Sequence, residues 1–178
     1  RGSDVVLLQF EIPLDAILAA IELATEAGIR IILDPAPMPG SLPDGILEVE
    51  YICPNRSEAS SISGLPIEST QNARACISRL HDKGANNLII TLGGDWAVLS
   101  GYEGLEWIPP IEITPVDTTA AGDAFACALS VRLATGASLI EAAQFAGAAG
   151  AIASTRRGAQ PGMAMRSEIE QLLRQAPD

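Results

Sequence analysis

Lysine is all but missing from this chain. Lys83 is the single lysine among eleven basic residues, and the other ten are arginines. Lys83 has no glycine-rich context and no GxxxxGK(S/T) run occurs, so any phosphate site must rest on backbone N–H groups, a bound cation or arginine. Histidine is as scarce. His81, in "SRLHDKG", lies near a predicted helix end, where a solvated or dipole-favoured role is expected, and it gives no basis for a Ser-His-Asp triad. Cys53, Cys76 and Cys127 lie far apart, without metal-ligand spacing, each in an apolar stretch; they read as small core filler. Positive charge is outnumbered, 22 acidic against 11 basic residues for a net −11, and such a surface repels nucleic acid. No apolar run approaches the roughly 18–20 residues that cross a bilayer. The opening "RGSDVVLLQ" is no secretory signal, and the expected location is cytoplasmic.

What is present is hydrophobic residue, 48% of 178, enough for one domain with a substantial core. "DVVLLQF" reads as a buried strand, Pro13 opens a helix with Leu14, Ile17, Leu18 and Ile21 at helical spacing, Gly28 ends it, and "IRIILDP" is the next strand. This β-α-β unit implies parallel strands. "PAPMPGSLP" is a loop, "VEYICP" a short strand, and residues 68–83 a helix closed by Gly84. "NNLIITL" and "WAVLS" flank a hairpin-like "GGD", and the prolines of "GLEWIPPIEI" assign it to a sheet edge. Helices are expected at 121–134, 138–153 and 167–175. Neither repeats nor an interdomain linker are visible, so residues 1–178 are expected to form a single α/β domain.

In open α/β sheets ligands bind beyond the carboxyl ends of the strands. Four stretches fall at such ends or at helix boundaries: "CPNRSE", "TLGGDW", "DTTAAGD" and "STRRGAQPG". In the third, Asp123 follows Ala-Ala-Gly at the first turn of an apolar helix. It is either a carboxylate steadying the helix dipole or a base beside an anion held by first-turn N–H groups. Asn55 and Glu58 likewise either cap the helix that follows or organise a cation.

The motifs resemble, in order along the chain, those of the ribokinase-like (PfkB) carbohydrate kinase family. "DTTAAGDAFACAL" is similar to the family's D-T-x-G/A-A-G-D-x-F signature and "CPNRSEA" to its N-x-x-E motif. "LDPAPMP" resembles the Asn-Pro-Ala-Pro segment, "TLGGDWAVL" the Thr-Leu-Gly nucleotide strand, and "ASTRRGAQPGM" the ribokinase branch in particular. The resemblance implies a three-layer, mostly parallel sheet with helices on both faces. It also implies ATP-dependent phosphorylation of D-ribose to ribose 5-phosphate with Mg²⁺ and K⁺. Asp123 would be the general base, and Ala120, Ala121 and Gly122 the anion hole. Asn55 and Glu58 would organise Mg²⁺; Thr91, Gly93 and Gly147 would line the nucleotide site; Glu11 would contact the sugar. Asp117, Thr119, Ala153, Arg156, Gly158 and Gly162 would wrap a monovalent cation, chiefly through backbone carbonyls.

Two departures accompany the resemblance. Gly147 stands where relatives present a larger or polar side chain near the adenine. The family's Gly-Gly-x-x-x-N and Asn-x-x-Gly-Lys-Gly segments, which hold the sugar and build the lid, do not occur in these residues. The chain is therefore expected to be the C-terminal portion, with the N-terminal part and lid missing, drawn from a protein that forms homodimers. Another sugar kinase of the family, such as a fructokinase, and a catalytically incomplete nucleotide-binding fragment are the alternatives.

Overall fold

In the apolar run that begins the chain, β1 (Val5–Gln9) leads through a turn into α1 (Leu14–Glu26), then β2 (Arg30–Asp34). Pro13 is the N-cap of α1, its ring fixing φ at −53° where no N–H is needed, and Ile17 and Ala24 carry the buried face. Gly28, at φ +65°, reverses the chain into β2. The structure, a computed structural model, describes residues 2–102 and 104–175. Among these no helix is long and apolar enough to cross a membrane.

A loop over residues 35–50 leads to the two-residue β3 (Tyr51–Ile52), followed by α2 (Arg56–Ser63), α3 (Thr70–Asp82), β4 (Asn87–Thr91), β5 (Ala97–Gly101) and β6 (Gly104–Ile108). The six strands lie side by side in chain order. β1 to β4 are parallel, with Gln9 beside Asp34 and Leu33 beside Ile52 in the register. Their carboxyl ends therefore share one edge of the sheet, where β-α units place ligands. β4 is buried along Asn87–Ile90, and Ile17, Leu33, Ile52, Leu80, Leu88 and Val98 form the centre of a shared core.

The C-terminal third is helical: α4 (Ala121–Ala134), α5 (Leu139–Ser154), the short α6 (Ala159–Gly162) and α7 (Arg166–Gln175). α4 and α5 pack closely through small residues. A Cβ on Gly150 would come within 3.1 Å of the Ala121 carbonyl oxygen, so glycine sets how near the helices run. The chain separates into two compact units, residues 1–93 with 98–107 and residues 94–97 with 108–178.

Four local readings change in the structure. β1 is not a fully buried strand; it ends the strand order, and only Leu8 is buried along it. α2 follows the cap read at Asn55 and Glu58, although the sequence reading bounds no helix there. Its low hydrophobicity hides its extent, and its caps, Asn55 before and a left-handed Gly64 after, define it. Cys53 and Cys76 are buried, but Cys127 is exposed, because it lies across α4 from Phe125 and Leu129. His81 is not a solvated helix-end residue. Its Nδ1–H donates to Ala85 O (2.7 Å) and its Nε2 meets Ser100 Oγ (2.8 Å), tying α3 to β5.

Candidate active site

In the first unit the candidate residues lie at the carboxyl ends of β3 and β4. Asn55 forms an isolated parallel bridge with Thr91, and Thr91 N donates to Pro54 O (3.0 Å), so the two candidate residues sit side by side. Asn55 also caps α2. Its Oδ1 accepts from Ser57 N (2.9 Å) and Glu58 N (3.0 Å), while Glu58 returns its carboxylate to Asn55 N (2.7 Å) and Asn55 Nδ2 (2.6 Å). The capping box is real, and it aligns the pair that the cation reading needs. Glu58 is buried, and burial pushes its carboxyl up against the opposing pull of the Asn55 hydrogen bonds. A divalent cation nearby would favour the ionised form.

Past Thr91 the chain turns at Gly93, whose φ of +73° suits glycine. The turn is held by a residue the sequence reading passed over: Arg56 Nη2 donates to Leu92 O (2.9 Å) and Nη1 to Ile67 O (3.3 Å). Only its position beside Asn55 in "PNRSE" could have drawn attention to it. Glu11 is exposed on the turn after β1.

In the second unit the candidate residues lie at the start of α4 and the end of α5. Ala120 is left-handed (φ 60°, ψ 14°), an unusual conformation for a residue with a Cβ, and it turns the chain into α4. Gly122 and Asp123 are exposed on the first turn, and nothing lies within 4 Å of a Cβ built at Gly122. First-turn N–H groups have no intrahelical acceptor, so this open approach suits an anion. Ala121 fits the anion hole least well, because its N–H donates to Thr118 O (3.2 Å).

The loop before α4 is stitched to the end of α5. Val116 N and Asp117 N both donate to Ser154 O (2.8 and 3.1 Å), and Asp117 takes Thr119 N on Oδ1 (3.0 Å) and Gly158 N on Oδ2 (2.9 Å). These bonds, led by that from the Thr119 side chain, hold the Asp117 carboxyl down to about 2. A Cβ on Gly162 would lie 3.3 Å from Ala153 O, so glycine there lets the α6 backbone approach that carbonyl. Asp117, Thr119, Ala153, Gly158 and Gly162 are thus gathered around one loop. The Arg156 side chain is not directed at a cation. It pairs with Glu168 (Nη2–Oε1 2.5 Å). Gly147 lies half-buried in α5 with open space at its Cβ position.

Among the described residues no group of three or more His, Cys, Asp or Glu gathers as a metal cage. The hard oxygens of Asn55 and Glu58 suit Mg²⁺ held mainly by waters and phosphates, and a carbonyl-lined loop suits a monovalent ion.

The sequence matches the pfkB family carbohydrate kinases over residues 2–165. It is 35% identical to the ribokinase of Haemophilus influenzae over 175 residues, covering 98% of this chain and 57% of that protein. It is 31% identical to the ribokinase of Arabidopsis thaliana, covering 98% of this chain and 47% of that one. The fold superposes on the Arabidopsis thaliana ribokinase complexed with ribose and ATP with a TM-score of 0.92 at 30% identity, covering 97% of this chain and 56% of that chain. A Thermotoga maritima ribokinase gives 0.85 at 34%, covering 97% and 57%. The chain thus spans about half the length of the relatives it matches. With the family match running over residues 2–165, the chain belongs to the pfkB family of carbohydrate kinases.

Proposed function

We propose that this chain is the nucleotide-binding and catalytic portion of a cytoplasmic, ATP-dependent sugar kinase that converts D-ribose to ribose 5-phosphate. The observation that carries the reading is the start of α4, where an exposed Asp123 stands on the first turn behind a left-handed Ala120 and an open Gly122. Asp123 takes the proton from the sugar hydroxyl as its oxygen attacks the γ-phosphorus, and the bond to the β–γ bridging oxygen breaks to release ADP. The N–H groups at Gly122 and its neighbours stabilise charge on the transferring group. Mg²⁺, when bound, neutralises phosphate charge, and Asn55 with Glu58 orients its waters. Thr91 and Gly93 shape the nucleotide side, with Gly147 leaving room near the base. Glu11 contacts the sugar. The choice of ribose rests on relatives named ribokinase, one of them solved with ribose and ATP.

The test is coupled ADP detection on the intact protein with ATP, Mg²⁺ and K⁺, comparing D-ribose, 2-deoxyribose and D-fructose. Ribose should give the highest kcat/KM, and Asp123→Asn should lower kcat by about 10²–10⁴-fold with little change in ATP affinity. Replacing K⁺ by Na⁺ at matched ionic strength should slow the reaction. Turnover of Asp123→Asn near that of the parent would remove Asp123 from the chemistry, and a preference for fructose would remove ribose.

A further inference from the structure

Asp34 has no part in the scheme above, yet it is a carboxylate only 7% exposed at the carboxyl end of β2. Burial of a charged group is costly unless hydrogen bonds compensate, so its surroundings carry information. Gln9, the last residue of β1, is its register partner in the parallel pair, and Gln9 Nε2 donates to Asp34 Oδ2 at 2.7 Å. One residue on, Phe10 N donates to Ala36 O at 2.7 Å. Two short bonds therefore fasten the exit of β1 to the exit of β2. Glu11 follows directly, and Leu14 already begins α1 behind Pro13. Little freedom remains for the backbone that carries Glu11.

The chemistry of the pair adds direction. An ionised carboxylate only accepts, so Gln9 must turn its NH₂ toward Asp34, and the amide orientation is fixed. Asp34 also lies close to the remaining carboxyl-end residues: the buried Cys53 thiol is raised first by burial and then by the charges of Asp34 and Glu58.

We propose that Asp34 is a positioning residue for the acceptor side of the site: through Gln9 it fixes the β1–α1 turn and so the placement of Glu11. The proposal rests on the reading of Glu11 as a sugar contact. Its signature is a change in acceptor KM with nucleotide parameters left alone.

Asp34→Ala and Gln9→Ala in the intact protein should each raise the ribose KM by about 10–100-fold, the scale of a misplacement near 1 Å, with MgATP KM within about twofold of the parent. The double variant should lose less than the sum of the two single ones, since both remove the Gln9–Asp34 bond. Asp34→Asn, which keeps an acceptor oxygen for Gln9, should restore most of the loss. In the 178-residue chain, amide hydrogen exchange over residues 9–12 should speed up in Asp34→Ala and stay near the parent in Asp34→Asn. A rise in MgATP KM at unchanged ribose KM would overturn the proposal in favour of a direct role toward the metal-nucleotide. So would an Asp34→Asn variant as impaired as Asp34→Ala, or unchanged exchange in Asp34→Ala. If the intact protein phosphorylates no sugar, the functional reading fails on its own, and the exchange measurement still decides whether Asp34 anchors this turn.

Discussion

Asp117 shows how one side chain can order a loop without being buried. Its two oxygens collect the N–H groups of Thr119, two residues on, and Gly158, 41 residues on, and those bonds favour the ionised form. The folded-state carboxyl titrates near 2 against an ordinary value of 3.8, so the folded protein resists protonation where the unfolded chain does not. The stabilisation is complete above about pH 4 and is lost as pH falls from there toward 2. Asp117→Asn should therefore lower stability at neutral pH and flatten the acid limb over that window, read as urea midpoint against pH. Parallel pH profiles for the two proteins would rule the linkage out. Glu58 runs the other way. Its carboxyl is raised by burial, so its contribution to stability declines as pH climbs through the carboxylate range, and bound cation should reverse that decline.

At the scale of elements, α2 and α5 begin with the same device. Ser138 and Glu141 form a capping box on α5, with Glu141 Oε2 accepting from Ser138 N and Oγ at 2.9 Å each, as Asn55 and Glu58 do on α2. Loss of either cap should cost about 1 kcal/mol of folding stability. Ser138→Ala should do only that. Asn55→Ala should lose the same amount and also raise the Mg²⁺ concentration needed for half-maximal rate, as measured by titrating Mg²⁺ at fixed ATP. An unchanged Mg²⁺ requirement would reduce Asn55 to a cap. The comparison also shows what sequence carries and what it hides. Signals that act over a few residues were legible: the Pro13 start of α1, the glycine stops, and the "GGD" connection between β4 and β5. Of α2 only the cap at Asn55 and Glu58 was legible, not its extent, because eight mostly small, polar residues give too short and too weak a period to register. The Asn55–Thr91 bridge, the Arg56 clamp on Leu92 and the close pass at Gly150 join residues distant in sequence, and no local pattern announces them. Motif order supplied the candidate residues, while the hydrogen bonds sorted them, sending the Arg156 side chain to Glu168 and the Ala121 N–H to Thr118.

On the scale of the whole molecule, the two compact units interleave along the chain, so no single linker exists for composition to reveal. The first unit has an open flank. β1 ends the strand order, its Val5, Val6 and Leu7 are only half-buried, and no charge falls within Val5–Gln9 to discourage pairing. α1, which packs beside β1 and β2, exposes Leu18 at 40% and Leu23 at 65%, with Ile12 at 52% just before it. An uncharged edge strand beside exposed leucines is a surface that water disfavours, and soluble proteins seldom leave such a patch uncovered. The 178-residue chain alone should therefore associate with itself in a concentration-dependent way, seen by sedimentation velocity as a shift to faster species on loading more protein. Leu23→Lys, which places a charge on that flank at an already exposed position, should move the onset to higher concentration without lowering the thermal midpoint. A single slow species at every concentration for the parent chain would show that the flank is inert in water. Association undiminished in Leu23→Lys would move the contact away from α1.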